Sequence, residues 1–111
     1  MTEIMTPADV QGYDPRTAAP AGQPVPVSPG TEIEATLARA AQASPVWAGW
    51  PARRRAEALE RIAAAVQNAA DELVATADRE TALGGTRLRG ELARTTGQLQ
   101  DDGRARPRPA R

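Results

Sequence analysis

The stretch "RRRAEALERIAAAVQNAADELVATADRET", residues 53–81, decides the fold. Its apolar residues recur every three or four positions, which is the period of a helix and not of a strand. The predicted buried faces comprise Ala56, Leu59, Ile62, Ala63 and Val66, followed by Ala70, Leu73, Val74 and Ala77. Asn68 between the two sets can close one helix and cap the next, with Asp71 at the third helical position. The stretch therefore predicts two consecutive amphipathic helices.

A further helix is predicted downstream. The pair Gly84 and Gly85 is expected to end the preceding helix, and a new one to begin near Thr86. Its apolar side comprises Leu88, Leu92, Thr95 or Thr96, and Leu99. The last eleven residues, "DDGRARPRPAR", contain four arginines, two prolines and no side chain larger than alanine that could join a core. We expect residues 100–111 to form a disordered Arg/Pro tail, of a composition that out-of-frame GC-rich DNA would encode.

Upstream, the sequence predicts a first helix from Thr31 to Ala43. Thr31 and Glu34 have the spacing of a capping box, and Ser44 and Pro45 are expected to end the helix. Its narrow apolar stripe consists of Ile33, Leu37, Ala40 and Ala41. Pro51 suits the first turn of the following helix. The intervening "SPVWAGWP" is predicted as a loop whose Trp47 and Trp50 fill a gap between helices, in preference to forming a ligand platform.

Five prolines interrupt residues 12–30, "GYDPRTAAPAGQPVPVSPG", and exclude a helix there. Asp14 and Pro15 in "DPRT" predict a turn, and "QPVPVSP" predicts an extended edge segment. Residues 1–11 show no periodicity and are expected to be a disordered N-terminus. The predicted fold class is mainly α: four amphipathic helices after an extended, proline-rich N-terminal arm, with residues 12–99 as the structured part.

Composition excludes several kinds of chemistry. The sequence has no cysteine and no histidine, and its fourteen basic residues are all arginine. Thiolate nucleophiles, imidazole bases, standard zinc sites and lysine Schiff bases are therefore absent from these residues. No catalytic, cofactor-binding or metal-binding residue is predicted. Arg53, Arg54 and Arg55 are interpreted as a solvated helix face and not as a nucleic-acid patch.

Charge and hydropathy point to a soluble protein without a charged partner. Fourteen acidic residues balance the fourteen arginines, so we expect neither nucleic acid nor a membrane surface as partner. No apolar run approaches a membrane span and the N-terminus lacks a signal peptide's pattern, so a cytoplasmic location is expected. The apolar faces are rich in alanine and offer little core. We therefore expect these helices to pack against a further part of the same polypeptide, or to self-associate through exposed faces.

The residues resemble a known family in three places. "YDPRTAAPAGQPVPVSPGTEIEATLARAAQASPVW", residues 13–47, is similar to the opening of NAD(P)-dependent aldehyde dehydrogenases. Residues 53–81 resemble their second and third helices. "RETALGGTRLRGELARTTGQL", residues 79–99, resembles the branch that oxidises 2-oxoglutarate semialdehyde and related or fatty aldehydes. Two departures are Ala18, where the family's turn usually has glycine, and Gly84-Gly85, which replaces a proline-containing link.

The resemblance implies part of an α/β enzyme that converts an aldehyde to a carboxylate with NAD or NADP. In that family a cysteine thiolate attacks the aldehyde, a glutamate acts as base and a Rossmann-type domain binds the dinucleotide. All of these lie downstream of the matched residues, so no site residue is carried over and no cofactor is expected for this fragment. We expect a truncated aldehyde dehydrogenase that is inactive alone. The alternative is a small helical protein-interaction module.

Overall fold

The computed structural model describes residues 9–104. A two-stranded sheet is followed by four helices, which confirms the mainly α fold class. The elements are β1 (Val10–Tyr13), β2 (Pro20–Val25), α1 (Gly30–Gly49), α2 (Ala52–Asn68), α3 (Ala70–Thr81) and α4 (Gly85–Arg104).

The N-terminal arm folds back on itself as an antiparallel hairpin. Gly12 pairs with Ala21 and Tyr13 with Pro20, and the register is irregular between Val10 and Gly12. The predicted extended segment is confirmed where it overlaps β2. The predicted disordered N-terminus extends too far, because Val10 and Gln11 belong to β1. Residues 1–8 lie outside the described residues.

The predicted turn at "DPRT" connects the two strands. The Asp14 side chain accepts a hydrogen bond from the Arg16 amide at 2.8 Å, and the Asp14 carbonyl accepts one from the Ala18 amide at 2.7 Å. Ala18 closes the turn with a φ of 59°, in the left-handed region. Glycine adopts this conformation without the Cβ clash, which explains why glycine is the usual residue at this place.

The first helix is longer than predicted. It begins at Gly30, directly after Pro29, and no side chain caps it, so the predicted capping box of Thr31 and Glu34 is wrong. It also continues through Pro45 to Gly49. Proline removes one amide donor, so the Ala41 carbonyl loses its helical partner, but on an exposed helix water can hydrate that carbonyl. The predicted loop at residues 44–51 is consequently wrong for residues 44–49, and only Trp50 and Pro51 lie between the helices.

The boundaries of α2 and α3 differ from the prediction by a few residues. Pro51 precedes α2 as its N-cap residue instead of lying in its first turn. Asn68 is the last residue of α2, and Ala69 links the two helices without a side-chain cap, so the predicted capping role of Asn68 is wrong. The third helix ends at Thr81, before the glycine pair, because Ala82 adopts a left-handed φ of 55°.

The fourth helix extends past Leu99 to Arg104. The predicted start of the disordered tail at residue 100 is therefore wrong, and residues 105–111 lie outside the described residues. Gly103 lies in the last turn of α4, beyond the predicted end of the helix, and allows this turn to pack against α2. A Cβ at Gly103 would lie 3.3 Å from the Ala56 carbonyl oxygen, so glycine lets α4 approach the start of α2 closely.

The core is small and lies between α2, α3 and α4. Its buried residues are Ala63, Val74, Leu88 and Thr96, and Ala21 is buried in the hairpin. Four positions of the predicted apolar faces are thereby confirmed as core, and Thr96, not Thr95, is the buried threonine. Ile62 and Leu73, which were also predicted to be buried, are 50% and 45% exposed. No residue of α1 is buried. Within residues 9–104, no helix is long and apolar enough to cross a membrane.

Candidate functional site

The carboxylate of Asp78, near the end of α3, accepts hydrogen bonds from two other parts of the chain. Arg16, in the hairpin turn, donates from Nη2 to Asp78 Oδ1 at 2.9 Å and from Nη1 to the Asp78 carbonyl at 3.0 Å. The Gly84 amide donates to the same Oδ1 at 3.0 Å. We call Arg16, Asp78 and Gly84 the Asp78 joint. It links three parts of the chain: the hairpin, α3 and the turn before α4.

The joint favours the charged forms of both side chains. The pKa of Asp78 is lowered mainly by the hydrogen bond from Arg16 and, to a smaller extent, by the one from the Gly84 amide. The hydrogen bond to Asp78 raises the pKa of Arg16. A carboxylate that already accepts two hydrogen bonds and is held in its charged form is poorly suited to be a general base near neutral pH. The geometry therefore assigns Asp78 a structural role.

The hairpin also lies against α3 near Glu80. A Cβ at Gly12 would lie 3.1 Å from Glu80 Oε1 and 3.2 Å from the Ala21 carbonyl oxygen. Glycine at this position allows β1 to approach α3 while it pairs with β2. Asp78 and Glu80, the two residues that the hairpin contacts, both belong to α3, so α3 positions the hairpin.

The two tryptophans lie where α1 meets α2. Trp47 is within α1 and Trp50 is its C-cap residue, and their ring centroids are 5.4 Å apart at an interplanar angle of 44°. The Arg54 guanidinium lies 3.8 Å from the centroid of the Trp50 ring, a cation–π contact. Arg55 donates to the Trp50 carbonyl. These contacts suit a structural junction between the helices.

The interpretation of Arg53, Arg54 and Arg55 as a solvated helix face is confirmed for Arg53 and Arg54, which are exposed, whereas Arg55 is partly buried. Arg53 is 91% exposed in its side chain and pairs only with Glu57 at 3.4 Å among the described residues. Arg54 and Arg55 instead hold the end of α1 against the start of α2. The sequence signal for these contacts is Trp50, which lies four positions before Arg54 and five before Arg55. At the start of a helix, side chains at this spacing can reach back to contact it.

Two apolar surfaces remain open. The first is a groove of about 240 Å³ between α2, α3 and α4, lined mainly by Val66, Leu73, Val74, Ala77, Leu88 and Leu92. The second is a stripe along α1, formed by Ile33, Leu37, Val46 and Trp47, which are 50%, 64%, 60% and 38% exposed. We call these the groove and the α1 stripe. The apolar spacing predicts the N-terminal half of the stripe but not Val46 and Trp47, because Ser44 and Pro45 are expected to end the helix.

Neither surface offers reactive groups. The groove contains one ionisable side chain, Glu91, beside apolar neighbours and Thr95. Within residues 9–104, no three histidine, cysteine, aspartate or glutamate side chains are grouped closely enough to hold a metal ion. What the described residues offer is therefore apolar surface for packing.

The comparison with protein families decides what these helices belong to. The sequence model described as "Aldehyde dehydrogenase family" matches residues 5–102, which is most of the chain. The chain belongs to the aldehyde dehydrogenase family. The match includes the hairpin and nearly all of the four helices, and it extends three residues past Leu99, where the sequence resemblance stopped. No curated protein and no solved structure matches the chain.

The family match confirms the resemblance at the level of the superfamily. Members of this family oxidise aldehydes, generally with NAD or NADP as the oxidant. The described residues do not fit a dinucleotide by themselves. Their sheet is a two-stranded antiparallel hairpin, whereas dinucleotide folds use a parallel sheet with a glycine-rich turn from strand to helix.

Proposed function

We propose that residues 12–99 are the N-terminal helical part of an aldehyde dehydrogenase, and that the 111-residue chain does not oxidise aldehydes by itself. The observation that carries this proposal is the lack of any cysteine in a chain that belongs to a family with a thiolate nucleophile. Without a thiolate no covalent intermediate with the aldehyde carbon can form. The role proposed for the segment is therefore packing, through surfaces such as the groove.

An assay of the purified 111-residue chain tests the inactivity. The chain is mixed with NAD⁺ or NADP⁺ and either a short aldehyde or 2-oxoglutarate semialdehyde, and reduced cofactor is followed by its absorbance. We expect no formation above a protein-free blank. A complete aldehyde dehydrogenase under identical conditions is the positive control. Turnover well above the blank would contradict the proposal.

We further propose that the segment derives from the branch that oxidises 2-oxoglutarate semialdehyde or fatty aldehydes. The support is the sequence resemblance of residues 87–99, "RLRGELARTTGQL", which form most of α4. A segment exchange tests it: residues 12–99 replace the equivalent segment of a dehydrogenase from that branch and, separately, of one from another branch. We expect more activity to be retained in the first chimera. Equal loss in both would contradict this assignment.

A substitution in the groove tests whether the activity of the chimera depends on the packing of the exchanged segment. Leu88→Asp places a charge at a buried position of the segment, so it should abolish the activity of an otherwise active chimera. Leu37→Asp changes a residue of the α1 stripe that is 64% exposed, and it reports whether that stripe is also covered in the assembled enzyme.

A cytoplasmic location and the absence of a nucleic-acid partner stay predictions.

A second candidate is a small helical interaction module, favoured by the α1 stripe, since no residue of α1 is buried. Such a module should fold by itself or form a defined oligomer. The expected observations are a cooperative thermal transition, a fixed near-ultraviolet signal from the tryptophans and a single species in sedimentation. The aldehyde dehydrogenase segment should instead melt over a broader temperature range and aggregate as its concentration rises, through its open apolar surfaces.

A further inference from the structure

The hairpin is fastened to the helices by a polar contact that joins residues 62 positions apart in the chain. Arg16 extends from the exposed hairpin turn and donates two hydrogen bonds to Asp78, one to its side chain and one to its carbonyl. Both side chains are partly exposed, at 46% for Arg16 and 33% for Asp78. Solvent can therefore compete for this contact, which makes it readily opened.

The same Asp78 oxygen also serves a second connection. Oδ1 accepts the Gly84 amide at 3.0 Å, and the Gly84 carbonyl in turn accepts the Leu88 amide at 3.1 Å in the first turn of α4. Gly84 has a φ of 90°, a conformation that glycine adopts readily. One carboxylate oxygen thus holds the hairpin on one side and the α3–α4 turn on the other.

Arg16 has another carboxylate beside it. Asp14 Oδ1 lies 3.8 Å from Arg16 Nη1, within the hairpin turn itself. When the contact to Asp78 opens, the guanidinium therefore keeps a partner inside its own turn. Arg16 would therefore lie next to a carboxylate in both arrangements: Asp78 when the hairpin is closed against α3, and Asp14 when it is open. A contact that switches between two states needs such a partner in each.

We propose that the Asp78 joint is a latch that lets the hairpin open from α3 as a unit, and that Asp78 couples this opening to the α3–α4 turn. The coupling has a direction. Loss of Arg16 frees the hairpin and leaves the Gly84 contact in place, whereas loss of the Asp78 carboxylate removes the Gly84 contact and the ionic part of the Arg16 contact, so that Arg16 keeps only the backbone carbonyl of residue 78. The inference concerns local opening of the fold and does not depend on the proposed function.

Amide hydrogen exchange of the full 111-residue chain tests the latch. The Asp14 and Ala18 amides are bonded within the hairpin, and a two-stranded hairpin detached from α3 is only marginally stable. In Arg16→Ala we therefore expect these two amides to exchange about threefold faster, and the Gly84 amide to be unchanged. In Asp78→Ala, all three amides should exchange faster, with Gly84 accelerated about fivefold because it loses a charged acceptor. Asp78→Asn keeps an acceptor oxygen without the charge, so Gly84 should stay protected while the hairpin amides exchange faster than in the parent chain, because Arg16 loses its ion pair.

Another ion pair of α3 provides a matched control. Arg89 pairs with Asp71 at 2.8 Å and links α4 to α3 without touching the hairpin. Arg89→Ala should leave the exchange of Asp14, Ala18 and Gly84 unchanged. Circular dichroism on each variant verifies that the helices remain formed.

Several outcomes would overturn the latch. One is unprotected exchange of the hairpin amides in the parent chain, which would mean that no closed state exists to be released. Another is an Arg16→Ala variant with parental hairpin exchange. Faster Gly84 exchange in Arg16→Ala to the same extent as in Asp78→Ala would remove the direction of coupling. A hairpin response to Arg89→Ala equal to that of Arg16→Ala would indicate general loosening instead of a latch.

Discussion

Helices α1 and α4 have the same length, 20 residues, yet only α4 has buried side chains. Leu88 and Thr96 of α4 lie in the core with exposures of 7% and 3%, whereas every residue of α1 is exposed. Both carry apolar residues at helical spacing. The comparison shows that this spacing predicts a helix, but burial depends on whether another part of the chain packs against its face.

Local sequence explains how α1 stays helical without a packed face. It contains several alanines, which have the highest helix propensity, and Glu32 in its first turn interacts favourably with the helix dipole. Pro45 opposes this within the last turns. The stability of α1 is therefore local, while that of α2, α3 and α4 comes from mutual packing.

The strongest test compares one leucine from each region. Leu88→Ala should lower the free energy of unfolding of α2–α4 by about 2–3 kcal/mol, because a buried side chain is lost and a cavity remains. Leu37→Ala in α1 should change it by less than about 0.5 kcal/mol, since Leu37 is 64% exposed. Urea denaturation followed by circular dichroism measures both. Equal effects would show that α1 is packed in solution.

The next test separates the local stability of α1 from the rest. Pro45→Ala restores an amide donor for the Ala41 carbonyl and should stabilise the helix around it by up to about 3 kcal/mol. Exchange of the amides at residues 41–49 measures the gain, and amides of α2 should not change. Pro51→Ala is the matched control, because Pro51 precedes α2 and its missing donor would be unpaired there in any case. Slower exchange throughout the chain would contradict the separation of the two regions.

The sequence predicted the number and order of the helices because their apolar spacing is local and regular. It located Val74 and Leu88 in the core for the same reason. It misplaced the C-terminal end of α1, because the penalty at Pro45 is outweighed by the other backbone hydrogen bonds of a 20-residue helix. Thr31 and Asn68 have capping chemistry, but the backbone puts Pro29 and Ala69 at the caps instead.

Contacts between distant residues could not be predicted in this way. Arg16 and Asp78 are both common surface residues, and nothing within either neighbourhood indicates that they meet. Ile62 and Ala63 are adjacent on a predicted apolar face, yet Ile62 is half exposed and Ala63 fully buried. Their burial depends on which side of α2 the other helices cover, and the spacing of apolar residues within α2 does not show this.

A smaller effect is expected in the hairpin. Ala18→Gly should stabilise the turn by about 0.5–1 kcal/mol, because Ala18 holds a φ of 59° that glycine adopts without steric conflict. Ala19→Gly is the control: its φ is not positive, so glycine there should give no gain and only add flexibility to the unfolded chain. Protection of the Asp14 amide, which donates to the Ala19 carbonyl, measures both variants. A larger gain from Ala19→Gly would contradict the assignment of strain to Ala18.

The smallest effect concerns pH and distinguishes the hairpin, which is held by charge, from the helices, which are held by apolar contacts. The pKa of Asp78 is lowered in the folded chain, mainly by Arg16 and then by the Gly84 amide. A lowered folded pKa means that the contact stabilises the fold fully above the unfolded carboxyl pKa and loses this effect as pH falls through the folded value. Hairpin attachment should therefore persist at neutral pH and weaken only in acid below the usual carboxyl range.

Titration of the Asp78 carboxyl carbon by NMR measures this directly. Arg16→Ala removes the larger cause and should raise the pKa of Asp78 toward its ordinary value, although the Gly84 amide still holds it somewhat lower. Arg89→Ala removes an arginine that pairs with Asp71 and not with Asp78, so it should leave the Asp78 titration in place. An equal rise in both variants would mean that the arginines in general, and not the contact between Arg16 and Asp78, lower the pKa of Asp78.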